Sequence, residues 1–130
     1  CNNFGSGMDQ AATSAVVNKA LDVGITLFDT ADCYGQTKSE ELLGKALGAR
    51  RKDVIVATKF CKPTGHLLND TPVAEIIATV EQSLRRLQTD YIDLYWMHAW
   101  DATTPIEDIP RLNIGSRPAR RSGGPSGSCI

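Results

Sequence analysis

The stretch Leu27-Phe28-Asp29-Thr30-Ala31-Asp32-Cys33-Tyr34-Gly35 decides how this chain is read. Ile25 to Phe28 is a short apolar run with the length of a buried strand, and it stops at a carboxylate followed by polar and turn-forming residues. Two later segments repeat that design. Asp53 to Lys59 is rich in β-branched residues and ends on a lysine, and Tyr91 to His98 is apolar and aromatic and ends on a histidine. Asp29, Lys59 and His98 therefore close strand-like runs, and Tyr34 follows the first of them closely. In a parallel barrel, catalytic groups stand at this C-terminal mouth of the strands.

The segments between the strands carry helical signals. From Asp9 to Val23, Ala12, Val16, Ala20 and Val23 recur at helical spacing, and Gly24 is placed to end the helix. Thr37-Lys38-Ser39-Glu40 matches a capping box, with Leu42, Leu43, Ala46 and Leu47 as the buried stripe behind it. Thr71-Pro72 opens a third helix whose face is Val73, Ile76, Ile77, Val80, Leu84 and Leu87. Residues 1–4 read as the stump of a first strand, and the lack of an initiator Met suggests a missing upstream segment. Strands alternating with helices of this length make βα units and a parallel sheet, so the expectation is a partial (β/α)8 barrel, roughly (βα)3β. If Asp29, Lys59 and His98 point inward, strand alternation sends Ile25, Leu27, Ile55, Ala57, Ile92, Leu94 and Trp96 inward too. All are apolar, as a filled interior requires.

Asp-Thr-Ala-x-x-Tyr-Gly after one strand, a lysine closing the next, a histidine closing the one after, and Ser39-Glu40 behind the tyrosine resemble the aldo-keto reductases, NADP-dependent (β/α)8-barrel oxidoreductases. The resemblance covers residues 1 to about 109. It implies a catalytic tetrad of Asp29, Tyr34, Lys59 and His98, NADPH as cofactor, and reduction of an aldehyde or ketone to an alcohol. Tyr34 would give the proton, Lys59 would lower the phenol's pKa from its ordinary ~10, Asp29 would hold Lys59, and His98 would orient the carbonyl. In that family most cofactor contacts come from later strands and loops, which are not recognisable here. Gly5, Ser6, Gly7 and Met8 are the remaining candidates for touching the nicotinamide half, and Trp100 is the candidate wall of the substrate pocket. No GxGxxG or P-loop is present.

Length limits what the chain can build: 130 residues hold one domain, whereas a complete barrel takes about 250. The expected division is a half-barrel over 1–109 and an irregular, disordered tail over 110–130, where breakers recur every few residues without an apolar period. That tail reads as a premature or out-of-frame terminus. A formal net charge of -1 leaves no electrostatic footprint for nucleic acid, and no run of about 18 apolar residues offers a membrane span. The chain is accordingly expected in the cytoplasm. Cys1, Cys33, Cys61 and Cys129 show no CxxC and no framework spacing, which predicts free thiols. Two rival functions remain: a catalytically silent barrel fragment or assembly module, and a hydrolase or metal-binding protein reusing Asp29, Cys61, His66 and His98. No pair of these has local zinc-ligand spacing, so no metal is assigned. An incomplete barrel exposes strand edges and an interior face, predicting a homo-oligomer, in the simplest case a dimer.

Overall fold

The computed structural model describes residues 1–61 and 73–98, without the side chains of 73–75. Its elements run α1 (Gln10–Asp22), β1 (Leu27–Asp29), α2 (Lys38–Leu47), a 3-10 turn (Gly48–Asp53), β2 (Ile55–Phe60), α3 (Val73–Leu87) and β3 (Leu94–Met97). The strands form one parallel sheet in the order β1-β2-β3. Leu27 pairs with Ile55 and Asp29 with Ala57; Ala57 pairs in turn with Leu94, and Lys59 with Trp96. The βα alternation anticipated above is present, with all three strand ends on one side.

One face of this sheet is covered and the other is open. Phe28, Val56, Leu43, Leu47, Val80 and Leu87 form the centre of the core between the sheet and the helices. On the opposite face Ile25, Leu27, Ile55, Leu94 and Trp96 are 40 to 55 % exposed, whereas Ala57 is buried. These are residues that alternation sent to the barrel interior. Ile92 departs from that set. It precedes β3, joins the helix-side core, and is followed by Asp93, which pairs with Arg51 at 2.9 Å and accepts from the Val56 N–H at 2.9 Å. Alternation holds only while the backbone is extended, and the ion pair turns the chain before β3 begins.

Three other expectations are corrected. Residues 1–4 form no strand: Phe4 makes an isolated bridge to Met8, and its N–H turns back to the Cys1 carbonyl at 3.1 Å. In α1, Asp9 caps the Ala12 N–H at 2.9 Å, but the buried face is Thr13 and Val17 with Ala20 and Leu21 partly covered; Val16 and Val23 are exposed. The stripe is rotated because α1 packs along α2. The capping box does not form either. Thr37 sits at φ 76° with no side-chain cap, and the first turn of α2 is capped by backbone, Lys38 N–H to Gly35 O and Ser39 N–H to Tyr34 O, both at 3.2 Å.

Glu40 is consequently released into the interior. It is completely buried, bonded by Arg86 Nε of α3 at 2.6 Å and by the Thr58 hydroxyl of β2 at 2.6 Å, so one carboxylate joins α2, α3 and the sheet. Close helix contact has its own requirement: a Cβ on Gly44 would lie 2.6 Å from the Leu87 carbonyl carbon, so α2 and α3 meet through glycine. Thr71-Pro72, Trp100, His66, and the whole of 99–130 lie outside the described residues.

Candidate functional site

The parallel register places the ends of β1 and β2 side by side, and the polar residues collect there. Asp29, the last residue of β1, accepts an ion pair from Lys59 Nζ of β2, and the same ammonium donates to the Thr30 carbonyl at 2.9 Å. Lys59 is mostly covered, its side chain 18 % exposed against 52 % for Asp29. The ammonium stands 5.0 Å from the centre of the Tyr34 ring. His98, just past β3, brings Nε2 to 3.4 Å from the Tyr34 hydroxyl, with the two rings edge to face at 5.7 Å. Asp29, Tyr34, Lys59 and His98 thus converge on one corner although 69 positions separate the first from the last.

Beneath them lies an open cleft of about 460 Å³, lined by Leu27, Ala57, Leu94, Trp96 and Met97 together with Asp29, Lys59 and His98. Its walls are apolar and its polar groups gather at one end, which suits a flat, weakly polar ring held beside a carbonyl. Gly5, Ser6, Gly7 and Met8 are not among the lining residues. They close a tight loop in which the Gly5 N–H is bonded to the Met8 carbonyl, and those of Ser6 and Gly7 to the Asn3 carbonyl.

The loop carrying Tyr34 is held from behind. The Thr30 hydroxyl donates to Ser39 Oγ at 2.9 Å, since the Ser39 proton is committed to the Cys1 carbonyl, also at 2.9 Å. Gly35 has φ 57°, and a Cβ there would meet the Phe4 carbonyl, so the Tyr-Gly step needs glycine for space and for backbone conformation. Asp32 ties this loop to β2: its N–H donates to the Lys59 carbonyl at 3.1 Å, and its Oδ1 accepts from the Cys61 N–H at 3.0 Å. Burial pushes the Asp32 carboxyl above the ordinary carboxylate range.

The thiol expectation is overturned at the same place. Cys33 and Cys61 form a disulfide with Cα atoms 5.9 Å apart, while Cys1 is free. Each stands four residues past a paired strand position, Cys33 beyond Asp29 and Cys61 beyond Ala57, so the register makes them neighbours. Sequence separation conceals this. A His98 ring nitrogen lies within 4.8 Å of both sulfurs, the grouping that a metal would use, but the sulfurs are bonded to each other. Sequence reasoning also missed the Thr30–Ser39 and Thr58–Glu40–Arg86 bonds; their one legible trace was the Ser39-Glu40 pair behind the tyrosine.

A parallel sheet with helices on one face and a Lys–Asp–Tyr–His cluster at its strand ends is a section of an α/β barrel. The chain belongs to the aldo/keto reductase family, whose family model matches residues 2–112. It is 45% identical over 110 residues to the aldo-keto reductase YhdN of Bacillus subtilis, covering 82% of this chain and 33% of that protein. Among solved structures it is similar to the holo form of aldo-keto reductase AKR11C1 from Bacillus halodurans, with a TM-score of 0.69 and 38% identity over 82% of this chain and 37% of the other. An aldo-keto reductase from Klebsiella pneumoniae in complex with NADPH matches with a TM-score of 0.61 and 32% identity, covering 73% and 32%. The chain spans about a third of the length of the curated relatives it matches. No helix among the described residues is long and apolar enough to cross a membrane.

Proposed function

We propose that this chain carries the proton-transfer corner of an NADPH-dependent reductase acting on an aldehyde or ketone. The observation that carries the reading is the convergence of the Lys59 ammonium on both the Asp29 carboxylate and the Tyr34 ring, with His98 at the Tyr34 hydroxyl. Carbonyl reduction places a hydride on carbon and a proton on oxygen, and the protein's share is the proton and the orientation. Tyr34 Oη donates the proton to the substrate oxygen. Lys59 stabilises the phenolate left behind, Asp29 keeps that ammonium in place, and His98 holds the carbonyl oxygen near Tyr34. NADPH, when bound, supplies the hydride; a structure of a relative holding NADPH supports its assignment by likeness. The apolar cleft fits the nicotinamide half, with Leu27, Leu94 and Trp96 as its walls.

The test is NADPH oxidation with an activated aromatic aldehyde. Tyr34→Phe keeps the ring and loses the proton, so the rate is expected to fall by about 10²–10⁴-fold. Lys59→Met is expected to be similarly damaging. Activity unchanged in Tyr34→Phe would refute the mechanism. A second reading, a catalytically silent member of the family, is favoured by one observation: Lys59 is the only Lys or Arg among the described residues lining the cleft, and it is already paired with Asp29. Among the described residues no further cation lines the cleft for the cofactor's phosphates. Absence of a saturable NADPH fluorescence signal decides for that reading.

A further inference from the structure

Cys33 and Cys61 take no part in the proposed carbonyl chemistry, yet their sulfurs stand against its histidine. A His98 ring nitrogen is within 4.8 Å of both sulfurs, and Nε2 of the same ring is 3.4 Å from the Tyr34 hydroxyl. Cys33 is exposed, so a small oxidant reaches its sulfur directly. The two loops do not depend on the bridge for their proximity, because Asp32 binds the Lys59 carbonyl and the Cys61 N–H across the same gap at 3.1 and 3.0 Å. Cleaving the disulfide therefore leaves both thiols within reach of one another. A protonated imidazole beside a thiol stabilises its thiolate, which is the reactive form.

We propose that Cys33 and Cys61 form a peroxide-reactive thiol pair, activated by His98, whose oxidation to the disulfide decides what His98 binds at the strand ends. The Cys33 thiolate attacks hydrogen peroxide; an S–O bond forms, the O–O bond breaks, sulfur loses two electrons, and the departing hydroxide is protonated to water. The Cys61 thiolate then attacks the Cys33 sulfenic sulfur, the S–S bond forms, and the S–O oxygen leaves as a second water. Two thiols and one peroxide give one disulfide and two waters. A small dithiol reverses the change by exchange, leaving as its own cyclic disulfide.

In the dithiol state, the thiolate attracts the His98 ring and competes with Tyr34 for it. In the disulfide state the sulfurs carry no charge and His98 keeps Tyr34. Among the described residues, the other titratable groups beside His98 are the paired Asp29 and Lys59, which line the same cleft, and the Tyr34 phenol. The consequence for carbonyl reduction rests on the reading proposed above, but the thiol chemistry does not.

The experiment uses the whole 130-residue chain, reduced with dithiothreitol, freed of metal with a chelator and treated with stoichiometric hydrogen peroxide. Alkylation and peptide mass mapping are expected to find the 33–61 link forming about tenfold faster than Cys1 oxidises, and slowed about tenfold in His98→Gln. Equal rates at Cys33 and Cys1, or a His98→Gln rate equal to the parent's, overturn the proposal. The parent itself gives a second readout by nuclear magnetic resonance. The His98 ring resonances are expected to move between the dithiol and disulfide forms at one fixed pH, as the imidazole changes partner. Coincident resonances also overturn it. Neither readout involves NADPH turnover, so failure of the reductase reading is distinguishable from failure of this one.

Discussion

At the scale of single residues, Asp32 shows how a supporting carboxylate can cost stability while positioning a site. Its Oδ1 accepts the Cys61 N–H, and burial raises its pKa above the ordinary value. The folded state thus holds this proton more firmly than the unfolded chain, and stability contributed by the protonated form is lost as pH rises through the raised folded pKa. Asp32→Asn keeps an acceptor and removes the charge. Its thermal midpoint is expected to match the parent at about pH 3, below the ordinary carboxylate pKa, and to exceed it increasingly as the pH is raised past that value. A midpoint difference independent of pH would show that the Asp32 carboxyl titrates normally. The convergence of Lys59 with Tyr34 belongs to this scale too, since the residue types announced proton chemistry and only their distances showed that an ammonium stands beside a phenol ring.

Between elements, the buried Glu40–Arg86 pair with Thr58 as third partner ties α2, α3 and β2 together. A buried ion pair adds little net stability, but breaking one partner away leaves a stranded charge, costing about 3–5 kcal/mol. Arg86→Met is therefore expected to lower the thermal midpoint by more than about 10 °C. Glu40→Gln combined with Arg86→Met is expected to recover most of that loss, because Thr58 can donate to the amide oxygen. If the double variant is no better than the single one, the loss comes from packing of the Arg86 stem and not from charge. The sequence pattern at Thr37–Glu40 reads instead as a capping box at the helix start. It failed because two left-handed residues, Gln36 and Thr37, let the loop's carbonyls cap α2 and turned the glutamate inward.

For the whole molecule, the described residues leave one apolar sheet face exposed, with β1 and β3 as the outer strands of the sheet. Ile25, Leu27, Ile55, Leu94 and Trp96 are exposed on this face, and from them we propose that the chain self-associates when no cofactor occupies the cleft. A second copy of the chain is the expected occupant, edge against edge, and light scattering at micromolar concentration is expected to give at least the dimer mass. A monomer mass with intact circular dichroism would contradict it. We also propose that residues 1–109 form the folding unit. The breaker-rich composition of 110–130 predicts that truncation after Ile109 leaves the thermal midpoint within a few degrees, and a larger fall would place the boundary elsewhere.

The sequence by itself determined the fold class and the parallel βα order, because these follow from local period and from residue types that end each run, and the resemblance of those run endings to a known motif pointed to the family: Asp29, Lys59 and His98 are visible as strand endings without any knowledge of their neighbours. Alternation also named the open face correctly along the strands, and it failed at Ile92, where the chain is not extended. The tertiary structure alone decided what depends on register and close approach. Cys33 and Cys61 are 28 positions apart, and nothing in their spacing marks them as partners until β1 lies beside β2 with Asp29 opposite Ala57. Glu40 and Arg86 meet for the same reason, as α2 and α3 approach closely through Gly44. A pairing across space is written in relative position, and one-dimensional periodicity carries no record of it.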